Sequence, residues 1–374
     1  MKEIKKKISV FSIDLGEKEK EYINDCLKTS WIGQGTYVKK FEESFSAYVN
    51  CKFGITTTSG TTALHLGLVA TGVGEGDEVL VSSSTNMACA FSIIYCNAKP
   101  VPIDVDIDSW LINPDLIEKK ITEKTKAIMV VHLFGQAVDM DSIMNIARKY
   151  NLKVIEDCAQ AHGVEYKGKK VGSIGDVGCF SFFSNKTITC GEGGMVVTNS
   201  EELAEKAKSF KNLCYGKVNK FIHDNVGFNY RLPNVSAAMG LGQFEQIENI
   251  INQKKRIYDR YKKNLSNISG LNIPKITQHT TKFIMWVFNI YLDNKFKITR
   301  DKLSEHLHAN NIETRNAFVP INMQKTLYKK YLIKAEDCLN ANSVMENGMY
   351  LPSGNNILNE EIDYVCEKIL EVNK

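Results

Sequence analysis

The feature that most limits how this chain can fold is an alternation that begins near residue 51, where short unbroken apolar runs take turns with helix-like segments. "FGITTTSG" leads into "TTALHLGLVATG", "GDEVLVSSST" into "MACAFSIIYCNA", and "KPVPIDVD" follows. The same rhythm continues through "KAIMVVHLFG", "DMDSIMNIARKYN" and "KVIEDCAQ". Strands without polar alternation are covered on both faces, which is the pattern of a parallel sheet between two layers of helices. The sequence therefore predicts an α/β domain over residues 1–250, an N-terminal arm included, with a mainly parallel central sheet. From Asn234 one long helical stretch, "NVSAAMGLGQFEQIENIINQKKRIYDRYKKNL", grows steadily more charged and leads out of that domain. Beyond it, "FIMWVFNIYLD", "TRDKLSEHLHANNI", "ETRNAFVPI" and "NEEIDYVCEKILEV" predict a smaller α+β domain over 251–374.

Composition removes several function classes. The chain has 374 residues and a formal net charge of only +4, with its lysines spread along it apart from the N-terminal "KEIKKKIS". That balance implies no nucleic-acid partner, while a mild positive bias suits an anionic small molecule. Neither an apolar leader nor an apolar run long enough to span a bilayer is present in the sequence, so no membrane association is expected. The ten cysteines stand singly with no C-x-x-C pair, which predicts neither a zinc site nor a disulfide framework and points to the reducing cytoplasm.

Three loop features fall at the carboxyl ends of predicted parallel strands, where open α/β sheets collect ligands. In "TTSGTTALHLGL", Ser59, Gly60 and Thr61 open a helix. Hydroxyls, a glycine and free N–H groups there suit a phosphate, and equally suit an ordinary Ser/Thr cap with a turn glycine. In "KVIEDCAQAHG", Asp157 ends a strand, with Gln160 three residues on. A carboxylate so placed could hold a protonated ring nitrogen or could simply cap a helix; His162 reads as structural, or as a donor behind the site, rather than as a metal ligand. In "FSFFSNKTITCGEGG", Ser181 lies in a strand and Lys186 follows it before a glycine-rich turn. A desolvated lysine amine can form an imine with an aldehyde. Phosphate cradle, ring-nitrogen carboxylate and imine lysine, in that order, are what a pyridoxal phosphate site requires.

"SGTTALHLGL", "VIEDCAQAHG", "GSIGDVGCFSFFSNKTITCGEGGMVVTN" and "GFNYRLPNVSAAMGLGQ" together resemble the DegT/DnrJ/EryC1/StrS family of nucleotide-sugar aminotransferases from about residue 8 onward. The resemblance implies the type I aminotransferase fold and a homodimer with sites at the subunit interface. It also implies catalytic roles for Lys186, as the lysine that carries the cofactor, and for Asp157, as the partner of its ring nitrogen. Gln160 would lie beside the ring. Ser59, Gly60, Thr61 and Ser181 would take the phosphate, with Asn229 reaching it from the second subunit.

Within the family, "FSFFSNKTITCGEGGMVVTN", "GFNYR" and "IETRNAFVPI" are most similar to the branch that aminates C4 of GDP-4-keto-6-deoxymannose, with L-glutamate as donor, for surface polysaccharides such as the lipopolysaccharide O-antigen. UDP- and dTDP-linked keto sugars fit the same cofactor site, and sugar 3-dehydratases that use the aminated cofactor are a sister activity. Those dehydratases carry histidine where this chain has Lys186. Two positions depart from the family pattern: Asn86 stands where many relatives stack an aromatic residue on the cofactor ring, and Asn322 stands where perosamine-forming relatives carry histidine beside the sugar. Trp31, Arg231, Arg315 and Phe318 complete the expected substrate pocket, although each has an alternative packing or interface role.

Overall fold

The computed structural model describes residues 6–216, 218–219 and 221–373; most of the basic N-terminal run lies outside them. Two helices, α1 (Glu17–Thr29) and α2 (Thr36–Tyr48), precede the alternating region. That region comprises β1 (Phe53–Thr57), α3 (Gly60–Ala70), β2 (Glu78–Ser82), α4 (Ala88–Tyr95), β3 (Lys99–Ile103), β4 (Thr125–Val131), α5 (Met140–Tyr150) and β5 (Lys153–Asp157). After the short strands β6 (Glu165–Tyr166) and β7 (Lys169–Lys170) come β8 (Val177–Ser181), β9 (Gly194–Thr198) and α6 (Glu201–Lys211).

Seven strands form the central sheet in the order β1-β9-β8-β5-β4-β2-β3. All run parallel except β9, which is antiparallel to both β1 and β8. Every residue of β2, β8 and β9 is buried, as the unbroken apolar runs require of a sheet covered on both faces. The reversed strand has a simple cause. Residues 182–193 between β8 and β9 contain no helix, and a parallel return needs a crossover connection that usually carries one.

The long helical stretch is two helices, α7 (Asn234–Glu245) and α8 (Ile247–Leu265), separated at Gln246. The side-chain amide of Gln246 reaches back to Glu19 of α1. α7 is packed against α1 and α2 with most of its surface buried, whereas α8 keeps one buried stripe and a charged outer face.

After α8 come β10 (Leu271–Asn272), β11 (Thr280–Lys282), β12 (Phe288–Leu292), α9 (Arg300–Ala309), β13 (Arg315–Asn316), α10 (Lys325–Tyr331), α11 (Leu339–Asn347), β14 (Gly348–Leu351) and α12 (Asn359–Glu371). β10, β12, β14 and β13 form an antiparallel sheet. Its core joins Phe288 and Ile290 to Tyr261 of α8, Leu303 of α9 and Val365 of α12. The later chain also returns to the first half: β11 pairs with β6, and Ile321, Leu327, Cys338 and Val344 pack into the core of the large sheet.

Candidate active site

Sheet register brings the sequence-distant loops together. Gly194 at the start of β9 pairs with Thr57 at the end of β1 on one side and with Ser181 at the end of β8 on the other. The Ser59–Thr61 turn therefore lies beside Ser181. A side chain on Gly60 would place its Cβ 2.6 Å from Ser181 Cβ, and one on Gly194 would sit 2.2 Å from the Ser59 carbonyl oxygen. Only glycine permits this approach, which draws the first turn of α3 against the end of β8. Ser59 caps α3, its Oγ accepting from Thr62 N–H at 3.2 Å. The capping reading of Ser59 is thus realised, while the turn it caps presents the positive end of α3 beside the Ser181 hydroxyl.

Asp157 pairs with Val131 of β4 and Cys179 of β8 at the neighbouring strand ends. It is 5% exposed. Its Oδ1 accepts from Ala159 N–H at 2.9 Å, and its Oδ2 accepts from the Cys89 thiol at 3.0 Å. Burial and the nearby carboxylate push the Cys89 thiol well above its ordinary range, so it stays protonated and donates. Gln160 is buried, and its Oε1 accepts from Phe134 N–H at 2.9 Å.

Lys186 is half-buried, and burial pulls its amine down to about 8 against the opposing attraction of Asp157. Its Nζ stands 4.2 Å from the centroid of the Trp286 ring, whose indole Nε1–H donates to the Asn185 carbonyl at 2.7 Å. Trp286 continues a column of rings. It stacks on Phe134 at 6.0 Å, which in turn stacks on Phe318 at 5.7 Å and an interplanar angle of 6°. Nothing local in "FIMWVFNIYLD" singles out Trp286, because the carbonyl its indole meets lies 101 positions earlier in the chain.

Three buried polar atoms near Lys186 have no partner within the protein: Asn185 Oδ1, Thr187 Oγ1 and His162 Nδ1. His162 donates through Nε2 to the Ser181 carbonyl at 3.0 Å. Burial, assisted by the Lys186 charge, lowers it to about 3, so its ring is neutral. Unpaired polar atoms of this kind are costly in a dry core. Their concentration beside an amine of lowered basicity, a buried carboxylate and a helix N-terminus fits a polar, anionic, ring-bearing molecule.

Next to Asp157, Glu156 is wholly buried and points into the frame. It accepts from Gly172, Ile174 and Gly175 N–H groups and from His132 Nε2 at 2.6–3.0 Å. Burial alone would raise its carboxyl, but His132 and these N–H donors hold it below the usual range. His132 Nδ1 accepts from Val138 N–H at 3.1 Å, which leaves Nε2 to face Glu156. His132, Glu156 and Cys158 are close enough to suggest a metal ion; the carboxylate and both imidazole nitrogens are already committed to these bonds.

The remaining predicted positions divide. Phe318 joins the ring column. Asn86 is exposed, and its Oδ1 accepts from Ala88 N–H, capping the start of α4. Asn322 is wholly enclosed: its Oδ1 accepts from Ser83 Oγ at 2.6 Å and its amide donates to the Ala335 carbonyl and to Asn342 Oδ1. Both amide hydrogens are used, so any influence of Asn322 on a sugar passes through Ser83 and the loop that leads to Asn86. Arg315 is exposed and pairs with Glu313, and Trp31 is 62% exposed. Asn229 is exposed, with its Oδ1 accepting from Arg231 Nε at 2.9 Å.

Residues 13–370 match the DegT/DnrJ/EryC1/StrS aminotransferase family. The chain is 43% identical over 371 residues to the GDP-perosamine synthase of Escherichia coli O157:H7, covering 98% of each. It is 38% identical over 367 residues to that of Caulobacter vibrioides, again with 98% of each covered. Among solved structures it superimposes on the pyridoxal phosphate form of the putative sugar aminotransferase Spr1654 from Streptococcus pneumoniae with a TM-score of 0.92 at 26% identity, covering 98% of both chains. It is also similar to DesV of S. venezuelae, with a TM-score of 0.91 at 29% identity and 98% of both chains covered.

Proposed function

The chain belongs to the DegT/DnrJ/EryC1/StrS aminotransferase family, and from that membership we propose that it moves an amino group from L-glutamate to C4 of GDP-4-keto-6-deoxymannose. The enzyme is a pyridoxal phosphate-dependent nucleotide-sugar aminotransferase. The single observation that carries the reading is the Lys186 amine, lowered to about 8 by burial within reach of Asp157's field. The similarity to two GDP-perosamine synthases supports the GDP-linked sugar, and surface polysaccharide such as O-antigen is the destination that fits.

When bound, the cofactor supplies an electron-withdrawing ring beside the carbon whose proton moves. The chain's own residues do the rest. Ser59, Gly60, Thr61 and Ser181 would hold the phosphate on the N–H groups of α3 and on hydroxyls. Asp157, oriented by Ala159 N–H and the Cys89 thiol, would accept the ring N–H, and Gln160 would flank the ring. Lys186 would accept and return a proton through Nζ, for which an amine near 8 is far better matched to neutral conditions than an ordinary lysine. Having lysine rather than histidine at 186 favours amination over dehydration.

A homodimer is part of the proposal. Asn229 faces solvent, and Val218, Ile222 and Val226 of the neighbouring loop are 103%, 64% and 82% exposed. Exposed apolar groups of this kind suit a second copy of the chain, to whose phosphate Asn229 would reach. A reducing cytoplasm fits ten free cysteines, all buried; among the described residues no helix is long and apolar enough to cross a membrane. A cofactor domain over 1–250 and a smaller one over 251–374 remain part of the proposal; two core clusters speak for two domains, although Ile284, Trp286, Ala317, Tyr350 and residues 321–344 pack into the first cluster and Ile8 into the second.

Lys186→Ala should abolish both turnover and the visible absorption of the purified protein; retention of both overturns the assignment. Incubation with glutamate and GDP-, UDP- or dTDP-linked 4-keto-6-deoxy sugars, with products weighed by mass spectrometry, separates amination from deoxygenation and identifies the nucleotide.

A further inference from the structure

Trp286 joins parts of the chain that are far apart in sequence. It holds Lys186 twice, through the indole N–H on the preceding carbonyl of Asn185 and through the ring face beneath Nζ. Trp286 is itself gripped from both directions. Its ring stacks with Phe134 and with Phe11, the centroids 6.0 and 5.7 Å away. Its carbonyl accepts from Lys254 Nζ at 3.1 Å, and the same ammonium donates to the Ser353 carbonyl at 2.6 Å.

Lys254 is a second buried lysine, only 4% exposed. Two neutral carbonyls are its hydrogen-bond partners and no acidic group pairs with it among the described residues, so burial lowers its amine to about 7. Such an arrangement calls for a reason. Lys254 lies on α8, while its two acceptors are in the segments just before β12 and just after β14. It therefore ties the Trp286 backbone to the segment that follows β14.

We propose that Trp286 is the positioning residue for the Lys186 amine and that Lys254 acts on Lys186 through Trp286, so that the C-terminal part of the chain sets where the reacting amine stands. This rests on the reading of Lys186 given above and adds two residues that neither contact the cofactor by that reading nor belong to the predicted site.

Amide hydrogen exchange of the full-length protein, with and without pyridoxal phosphate, tests the coupling. Trp286→Phe keeps a smaller aromatic ring and removes the indole donor to Asn185, so segment 183–188 should exchange at least about fivefold faster, the effect of one lost buried hydrogen bond, with β4 unchanged. Lys254→Met should reproduce that local pattern, and the double variant should exchange no faster than the faster single one, because the two residues act in series. Lys254→Arg retains the donors and should restore the unaltered rate. Unchanged exchange at 183–188 in either single variant, additive effects in the double, or loosening throughout the molecule in both Lys254 variants would overturn the proposal. Since exchange is read without cofactor as well, its outcome is separate from the absorption test of Lys186.

Discussion

Replacing Lys186 by methionine should stabilise the cofactor-free protein at neutral pH, even as it removes the amine to which the proposed function assigns the proton transfer. The native surroundings lower the amine from 10.5 to about 8, with burial as the main cause. That difference corresponds to about 3 kcal/mol of disfavour for the ammonium form in the folded chain. The Trp286 ring repays about 1 kcal/mol of it, so methionine, of similar length and without charge, should gain about 2 kcal/mol at about pH 7. The pH dependence has a definite sign. Between about 8 and 10.5 the unfolded chain binds the proton and the native chain does not, so the stability of the unaltered protein rises with pH across that window. Methionine has no such proton, and its advantage should shrink accordingly. Urea unfolding of both proteins, stripped of cofactor, at about pH 7 and about pH 9.5 measures this. A methionine variant no more stable at neutral pH, or a gap that fails to narrow in alkali, would refute the claim that Lys186 is held in a desolvated state.

Two further perturbations probe the frame. Gly60→Ala pushes a Cβ to within 2.6 Å of Ser181 Cβ, so it should cost about 1–3 kcal/mol and weaken pyridoxal phosphate binding at least about tenfold; adding Ser181→Gly should recover the thermal stability but not the affinity, as read by melting curves and a fluorescence titration. Glu156→Gln sets an amide donor against the N–H groups that the carboxylate now accepts from, at a cost of about 3 kcal/mol in denaturant unfolding. Because Glu156 is held below the usual carboxylate range, its stabilisation is present above that range and is lost as pH falls through the native value, so the variant should also show a flatter acid limb.

The parts of the site that local chain chemistry creates were legible in the sequence. Ser59, Asp157, Ser181 and Lys186 all sit at or just beyond strand ends, and an apolar run followed by a polar turn announces such a place without knowledge of the fold. What tertiary contact alone decides was not legible. Trp286 reads as the lead-in to a strand, and its hold on Asn185 and Lys186 exists only once two distant segments meet. Cys89 reads as one more small buried residue on a helix, yet it supplies a donor to Asp157. The break at Gln246 has no proline or glycine to mark it, since its side chain is engaged by Glu19 of another helix. The reversed β9, by contrast, had a readable cause in a connection with no helix to carry a crossover.

Asn322 limits how the chain around it can be altered. Its side chain ties Ser83, Ala335 and Asn342 into one enclosed knot, so a larger ring such as histidine cannot be placed there as a lone graft. The larger ring would need Ser83 and Asn342 to be exchanged with it. Natural drift at this position faces the same toll, because intermediates that alter one member of the trio leave buried donors stranded. The knot changes as a block, and a library that varies the three positions together will reach sequences that stepwise substitution does not.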